Sequence, residues 1–205
     1  ETYPYPSWWW TVLQLKHPFI LSFTKATYGF FGIGKAVLAL ARALSLISLA
    51  VQPTERRGGK PTFLNHRIPN ALAAIALHQL AKLERYNEHR HQLAHAYRAQ
   101  LPPHMQIPAE QPASKPIYLR FPVFVDDPRA LIAFARVRGI ELGDWYRQPV
   151  APAGVDLAAI RYTNCPVAEE LAKRVVNLPT GIQTTPRDAA RVIAVVNEYL
   201  HEHAR

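Results

Sequence analysis

The first fifty residues of the chain form an apolar and aromatic stretch in which charged positions are sparse. Four basic residues interrupt the stretch from Trp8 to Val51: Lys16, Lys25, Lys35 and Arg42. No uncharged run therefore reaches the roughly 18 residues that a membrane-spanning helix needs. Apolar residues recur at helical spacing from Gly34 to Val51, which predicts a helix with a thin polar face. Such a helix is either buried against another part of the protein or lies on a membrane surface, and burial is the simpler interpretation.

A longer helical pattern follows a loop at residues 52–62, which two prolines and the pair Gly58-Gly59 mark as irregular. Apolar positions from Ala71 to Tyr97 form a broad stripe, while charged side chains gather on the opposite face. Pro69 suits a first helical turn, and two consecutive prolines stop the pattern after Leu101. The sequence therefore predicts one helix from about Pro69 to Leu101.

The C-terminal part alternates between strand and helix patterns after a proline-rich connection at residues 102–116. Asp127 and Gly139 bracket one of these helices as its caps. The predicted elements are the strand Ile117–Val125, the helix Arg129–Arg138, the strand Ile140–Tyr146, the helix from Pro166 to about Arg174, the strand Val175–Leu178 and the helix Arg187–His201. This β-α-β-α-β-α order predicts a small α/β unit with a sheet covered by helices.

Composition and charge limit the classes of protein to which the chain could belong. The 205 residues carry a formal net charge of +9, but no run of five like charges occurs, which favours a solvated basic surface over a nucleic-acid-binding arm. Cys165 is the single cysteine, so an internal disulfide and a thiolate-based zinc site are both excluded, and a reducing cytoplasm fits. The chain begins with Glu1 and not with methionine, so we expect a processed or partial chain.

Two lysines lie in patterns that invite a functional interpretation. Residues 29–35 spell Gly-x-x-x-x-Gly-Lys, but Ala36 follows Lys35 where a phosphate loop needs Ser or Thr to hold magnesium. Lys25 follows Ser22-Phe23, a setting in which a lysine could form a Schiff base, although packing explains its neighbours equally well. Neither pattern predicts a site by itself.

The spacing of the histidines does not predict a metal site either. On a helix, residues two apart point to different faces, so neither His89 with His91 nor His201 with His203 can chelate one ion. His91 and His95 have the spacing of a helical metal pair but no third ligand in the sequence nearby. A solvated helix surface is the simpler account, and no metal is predicted.

The segment from Asn65 to Leu80 carries a more specific pattern: an Asn-x-Arg turn opens a helix that contains Ala-Ala and then Gln-Leu. This pattern resembles the signature of the DegT/DnrJ/EryC1/StrS aminotransferases. Further similar segments follow in the same order up to about Leu200: Arg90 with Ala94 and Tyr97, residues 118–123, 138–140, 165–169 and 176–180. The resemblance thus covers most of the chain.

The resemblance implies the fold and activity of that family. It implies the C-terminal portion of an α/β, aspartate aminotransferase-like fold, with a large domain that holds pyridoxal phosphate on a lysine and a small C-terminal domain. Residues 1–64 would end the large domain, residues 65–103 would form a long connecting helix, and residues 104–205 would form the small α/β domain. Family members mostly transfer an amino group from glutamate to a nucleotide-linked keto sugar, and they act as homodimers.

The resemblance also assigns residues. The Asn-x-Arg turn implies that Asn65 and Arg67 contact the cofactor phosphate of the neighbouring subunit; the alternative is that Asn65 caps the helix and Arg67 pairs with a surface carboxylate. Residues 143–146 depart from the family pattern, because many members carry a histidine-containing segment here that lines the sugar-nucleotide pocket. Trp145 and Tyr146 could stack on a sugar or base in its place, or else fill the core. Lys25 lacks the Gly-Gly strand that follows the family's lysine, so we reject it and expect no catalytic residue in this chain.

Two functions follow from the sequence. The leading one is the C-terminal part of a cytoplasmic, pyridoxal-phosphate-dependent sugar aminotransferase, inactive as this chain alone. The rival is a non-catalytic interaction or membrane-surface module built on the apolar segment from Trp8 to Val51, with peripheral membrane contact through that segment.

Overall fold

The structure, a computed structural model, describes residues 3–48, 51–61, 63–152 and 154–203. The chain divides into two units. The first comprises Glu1–Ala81 together with Gly154–Tyr162, and the second comprises Lys82–Ala153 together with Thr163–Arg205. No helix in the described ranges combines the length and the apolar character that crossing a bilayer requires.

The first unit is helical, with α1 at Trp8–Thr27, α2 at Ile33–Ala43, the short α3 at Pro53–Arg56 and α4 at Asn70–Leu80. The Ser7 hydroxyl accepts a hydrogen bond from the Trp10 N–H at 3.2 Å and so caps α1. Helices α1 and α2 pack closely as a hairpin, because Gly34 has no side chain. A Cβ atom there would lie 2.4 Å from the backbone oxygen of Thr24.

Residues 69–101 form two helices, and the prediction of one uninterrupted helix is wrong. Helix α4 ends at Leu80, and α5 spans Leu83–Gln100. Ala81 and Lys82 form a turn that separates the two helices. The two halves differ in composition, since α4 is almost entirely apolar whereas α5 is rich in charged and polar residues, and each half belongs to a different unit.

The second unit contains α5, a two-stranded antiparallel sheet and three further helices, two of which lie between the strands in the sequence. The strands are β1 at Phe121–Phe124 and β2 at Val175–Leu178, and the helices are α6 at Pro128–Val137, α7 at Pro166–Arg174 and α8 at Pro186–Glu202. Phe121 is opposite Leu178, and both side chains are buried. The core also includes Tyr97, whose hydroxyl donates to the Pro179 carbonyl at 2.8 Å.

Several sequence predictions for this unit are confirmed by the structure. Helix α7 and strand β2 occupy the predicted residues. The Asp127 carboxylate accepts a hydrogen bond from the Ala130 N–H at 2.9 Å and caps α6. Gly139 ends that helix with a φ of +73°, a conformation that glycine adopts without a steric penalty.

The predicted strand Ile140–Tyr146 is absent from the structure. Only Gly143 pairs with the sheet: its N–H and carbonyl bond to the backbone of Asn177 at 2.9 and 2.8 Å, as one isolated bridge. The chain then leaves the sheet edge toward Trp145. Within the described residues the fold is therefore mostly helical, with one two-stranded antiparallel sheet, and the prediction of a third strand in this unit is wrong. The division at residues 64 and 103 stays a prediction.

Candidate functional site

The turn that leads into α4 presents three polar side chains to solvent. The Leu64 N–H donates to the Pro61 carbonyl at 3.2 Å, and the Arg67 N–H donates to the Pro4 carbonyl at 2.8 Å. These backbone bonds hold the turn in place, while the side chains of Asn65, His66 and Arg67 are exposed. The turn is therefore held by its main chain, and its side chains stay accessible.

The structure does not support the alternative in which Asn65 caps α4 and Arg67 pairs with a surface carboxylate. The N-cap of α4 is Pro69, and no side chain caps this helix, so Asn65 is not its cap. No carboxylate within the described residues forms an ion pair with Arg67. The guanidinium carbon of Arg67 lies instead 4.9 Å from the centroid of the Tyr5 ring, a cation–π contact.

The chemistry of this turn suits an anion. The first N–H groups of a helix lack partners inside the helix and carry a positive partial charge, and α4 has neither a side-chain cap nor an acidic residue in its first turn. An exposed amide and an exposed guanidinium precede these N–H groups within five residues. Such a donor set fits a phosphate group, which is the part of the expected cofactor that the turn would contact.

The second unit contains a cavity of about 790 Å³. Strand β1, the loop at residues 107–118, the segment at residues 145–149 and one face of α7 line it. Its wall is mostly apolar, with a few polar side chains, which is the usual character of a small-molecule site. Its volume also falls within the range of about 300–1,000 Å³ that is typical of such sites.

Trp145 and Tyr146 form one wall of this cavity. Their rings stack with centroids 5.7 Å apart, and they are 58% and 55% exposed, so they do not fill the core. The Asn177 side-chain amide donates to the Trp145 carbonyl, which ties this segment to β2. The Arg120 guanidinium lies 4.3 Å from the Trp145 ring centroid. Two flat rings and a cation are thereby presented together at the cavity wall.

A polar cluster lies on the loop side of the same cavity. Arg98 Nε donates to Glu110 Oε1 at 2.9 Å, Arg98 Nη2 donates to the Pro108 carbonyl at 2.9 Å, and the Tyr118 hydroxyl donates to Glu110. The hydrogen bond from Tyr118, and after it the bond and the charge of Arg98, hold the pKa of Glu110 below its ordinary value. The Glu110 carboxylate is thus held in its ionised form.

Sequence reasoning missed this cluster. Glu110 lies in the proline-rich connection, which has the composition of a linker, and Arg98 lies twelve residues earlier on α5. Their contact depends on how residues 102–118 fold back along α5, and no local spacing encodes that path. The one local feature that could have indicated this cluster is a single carboxylate in a proline-rich loop.

The other residues that the sequence analysis considered lie neither in the Asn65–Arg67 turn nor in the lining of the cavity. Lys25 is exposed in the last turn of α1, which runs through Ser22 and Phe23 without the strand that the family's lysine segment leads into. Residues 29–35 cover the turn after α1 and the start of α2, whereas a phosphate loop joins a strand to a helix. His91 lies 3.0 Å from the Pro116 carbonyl, and the described residues include no group of three metal-ligating side chains. Cys165 is free and exposed.

Comparison with known proteins gives consistent matches. The model of the DegT/DnrJ/EryC1/StrS aminotransferase family matches residues 35–197. The chain is 31% identical over 139 residues to the dTDP-3-amino-3,4,6-trideoxy-alpha-D-glucose transaminase of Streptomyces venezuelae, a match that covers 66% of this chain and 36% of that protein.

Solved structures agree in fold. A DegT DnrJ EryC1 StrS aminotransferase from Brucella abortus matches with a TM-score of 0.57 and 22% identity, over 74% of this chain and 40% of that one. DesV from S. venezuelae, solved in complex with a ketimine intermediate, matches with a TM-score of 0.56 and 26% identity, over 71% and 42%. The chain thus spans well under half the length of these relatives.

Proposed function

Since this chain belongs to the DegT/DnrJ/EryC1/StrS aminotransferase family, we propose that it is the C-terminal part of a pyridoxal-phosphate-dependent enzyme. The enzyme transfers an amino group from glutamate to a nucleotide-linked keto sugar. Two matches from Streptomyces venezuelae support this choice: a curated dTDP-3-amino-3,4,6-trideoxy-alpha-D-glucose transaminase and a structure solved in complex with a ketimine intermediate. The observation that carries the proposal is the exposed Asn65–Arg67 turn at the start of α4.

The turn holds the phosphate of pyridoxal phosphate. Asn65 donates an amide N–H, Arg67 supplies a guanidinium, and the N-terminus of α4 adds a favourable partial charge. Because both side chains point into solvent, they are available to a neighbouring subunit, so we propose a homodimer in which the site is shared. When it is bound, the cofactor supplies the electron sink for amino transfer, while these residues bind and orient it.

Trp145 and Tyr146 bind the substrate. Their exposed, stacked rings offer apolar faces to a sugar or a nucleobase, and Arg120 beside Trp145 offers a positive charge to a diphosphate. The cavity that they line has room for a ligand of this size. Glutamate and the nucleotide sugar are therefore the proposed partners of the complete enzyme.

The phosphate role of the turn is tested by the affinity of the enzyme for pyridoxal phosphate. Loss of one charge-assisted hydrogen bond weakens binding by about 10-fold to 100-fold. We expect Asn65→Ala and Arg67→Ala each to weaken the binding of pyridoxal phosphate to the dimeric enzyme within this range, measured by fluorescence titration. His66→Ala is the matched control, because His66 lies between them on the same exposed turn and has no proposed role. Equal affinities for all three variants and the unchanged enzyme would contradict the proposal.

We also propose that no lysine of this chain forms the Schiff base and that the chain alone is inactive. Borohydride reduction after incubation with pyridoxal phosphate, followed by peptide mass spectrometry, tests this directly. Lys25 should be labelled no more than Lys35, which is exposed at a similar distance from the hairpin turn. Selective labelling of Lys25, with a Schiff-base absorbance that disappears in Lys25→Ala but persists in Lys35→Ala, would refute the assignment.

A further inference from the structure

The turn between α1 and α2 exposes large aromatic side chains. We call residues 28–33 the hairpin tip: Tyr28, Phe30 and Phe31 are all more than half exposed there, and Phe31 is 93% exposed. Phe31 also has a φ of +46°, a left-handed conformation that is costly for a bulky residue. A strained and almost fully exposed phenylalanine does not stabilise this unit by burial, so its side chain calls for another explanation.

The outer face of α1 continues the aromatic surface of the tip. Trp8, Phe19 and Phe23 recur at helical spacing, and each is more than half exposed, as is the adjacent Trp9. The opposite face of α1 contacts α2, where Thr24 and Gly34 are both buried. Helix α1 therefore has apolar residues on several faces, and the first unit leaves the face that carries these aromatic side chains uncovered.

Charge indicates which partner covers this face. Residues 2–54 contain four basic side chains and no Asp or Glu, and all four are exposed: Lys16, Lys25, Lys35 and Arg42. Two of them lie over exposed aromatic rings, with Lys16 Nζ 5.9 Å from the centroid of Trp9 and Lys35 Nζ 5.5 Å from that of Tyr28. A surface that combines exposed aromatic rings with exposed positive charge complements an anionic, partly apolar partner.

A second copy of the chain is a poor partner for the same surface. In a symmetric contact the same patch meets itself, so two hairpins with only basic charges would face each other. The match to the family model begins at Lys35, so α1 and the whole hairpin tip lie outside the matched residues.

We propose that the α1–α2 hairpin binds the surface of a membrane that contains anionic phospholipids. Phe30 and Phe31 insert at the level of the headgroups and the first acyl carbons, and Trp8 and Trp9 lie at the interface, where amphipathic indole rings are favoured. The four basic residues contact lipid phosphates. Neither the cofactor nor the sugar takes part in this contact, so it stands or fails independently of the proposed amino transfer.

Vesicle sedimentation tests the contact with the whole chain. We expect the chain to sediment with vesicles of phosphatidylcholine containing about a third phosphatidylserine, and weakly with pure phosphatidylcholine. Each lysine near such a surface strengthens binding about fivefold, so Lys16→Gln with Lys35→Gln should weaken it on the order of 25-fold. Phe30→Ser with Phe31→Ser should weaken it on the order of 10-fold or more.

Matched controls distinguish insertion of the hairpin tip from non-specific adsorption of the chain to vesicles. Val137 and Val167 are exposed in the second unit, so Val137→Ser with Val167→Ser removes the same number of exposed apolar side chains and should leave binding unchanged. The single cysteine allows a second readout. In a Cys165→Ser background, Phe31→Cys labelled with an environment-sensitive dye should brighten on anionic vesicles, whereas the same dye on Cys165 of the unchanged chain should not.

Three results would overturn the proposal. The first is the absence of binding to anionic vesicles, and the second is equal binding to both lipid compositions, which would leave the basic residues without a role. The third is concentration-dependent self-association of the chain that the Phe30→Ser and Phe31→Ser pair abolishes, measured by analytical ultracentrifugation. That result would assign the aromatic face to a second copy.

Discussion

The close approach of α1 and α2 at Gly34 gives the sharpest prediction for the first unit. In Gly34→Ala the new Cβ atom would lie 2.4 Å from the Thr24 oxygen, 2.8 Å from the Tyr28 nitrogen and 2.7 Å from the Tyr28 Cα. All three atoms belong to the backbone, so no side-chain rotation relieves the overlap. The two helices must separate, and the buried Thr24 then becomes partly exposed.

The magnitude follows from two opposing terms. Overpacking of a tight contact costs about 1–3 kcal/mol, while replacing glycine by alanine inside a helix gains up to about 1 kcal/mol. We therefore expect Gly34→Ala to destabilise the hairpin by on the order of 1–2 kcal/mol. Gly29→Ala is the matched control, because no heavy atom lies within 4 Å of its Cβ position and its backbone is not left-handed. It should be neutral or stabilising by about 0.4–1 kcal/mol.

Hydrogen exchange with mass spectrometry measures this effect locally. Peptides that cover Trp8–Thr27 and Ile33–Ala43 should exchange several-fold faster in Gly34→Ala than in the unchanged chain, whereas peptides from α8 should be unaffected. Gly29→Ala should exchange at the original rate or more slowly. If both variants protected the hairpin equally, the close packing of α1 on α2 would be wrong, and with it the orientation of the exposed aromatic face.

Three further predictions concern the second unit. Tyr97→Phe should lower the free energy of unfolding by about 1–2 kcal/mol, because it leaves the Pro179 carbonyl without its donor; an unchanged denaturation midpoint would contradict this. Tyr118→Phe should raise the pKa of Glu110 toward its ordinary value in an NMR titration. Because the pKa of Glu110 is lower in the folded chain, its contribution to stability is complete at neutral pH and is lost as the pH falls through that folded value. Trp145→Ala should weaken the binding of a dTDP-sugar about 10-fold in calorimetry, while Arg136→Ala, on the exposed face of α6, should not.

The elements that the sequence predicts well are those with local signals. Pro166 at a first helical turn and Pro179 after a short β-branched run define α7 and β2 to the residue. Asp127 and Gly139 bound α6 through a side-chain cap and a left-handed glycine, both of which depend on near neighbours alone. Such signals are short-range, so a single sequence contains them in full.

The elements that the sequence predicts poorly depend on packing. Residues 140–146 have strand-like composition, yet a strand needs a partner along its length, and β2 offers only Asn177 to Gly143. Helix α1 went unpredicted because apolar residues lie on several of its faces, both exposed and half-buried, so no single apolar stripe marks a helical period. The Arg98–Glu110 pair depends on the path of a loop, and that path is decided by tertiary contacts.

The arrangement of Arg67 on Tyr5 connects local structure to the proposed anion site. The guanidinium lies against the Tyr5 ring, and no carboxylate within the described residues pairs with its N–H donors. A salt bridge to a carboxylate would have occupied those donors. The backbone bond from Arg67 to Pro4 fixes the neighbouring chain segment that carries Tyr5, so the ring and the guanidinium are brought together by the main chain. The aromatic contact thus restricts the side chain without neutralising it, and less conformational entropy is lost when a phosphate binds.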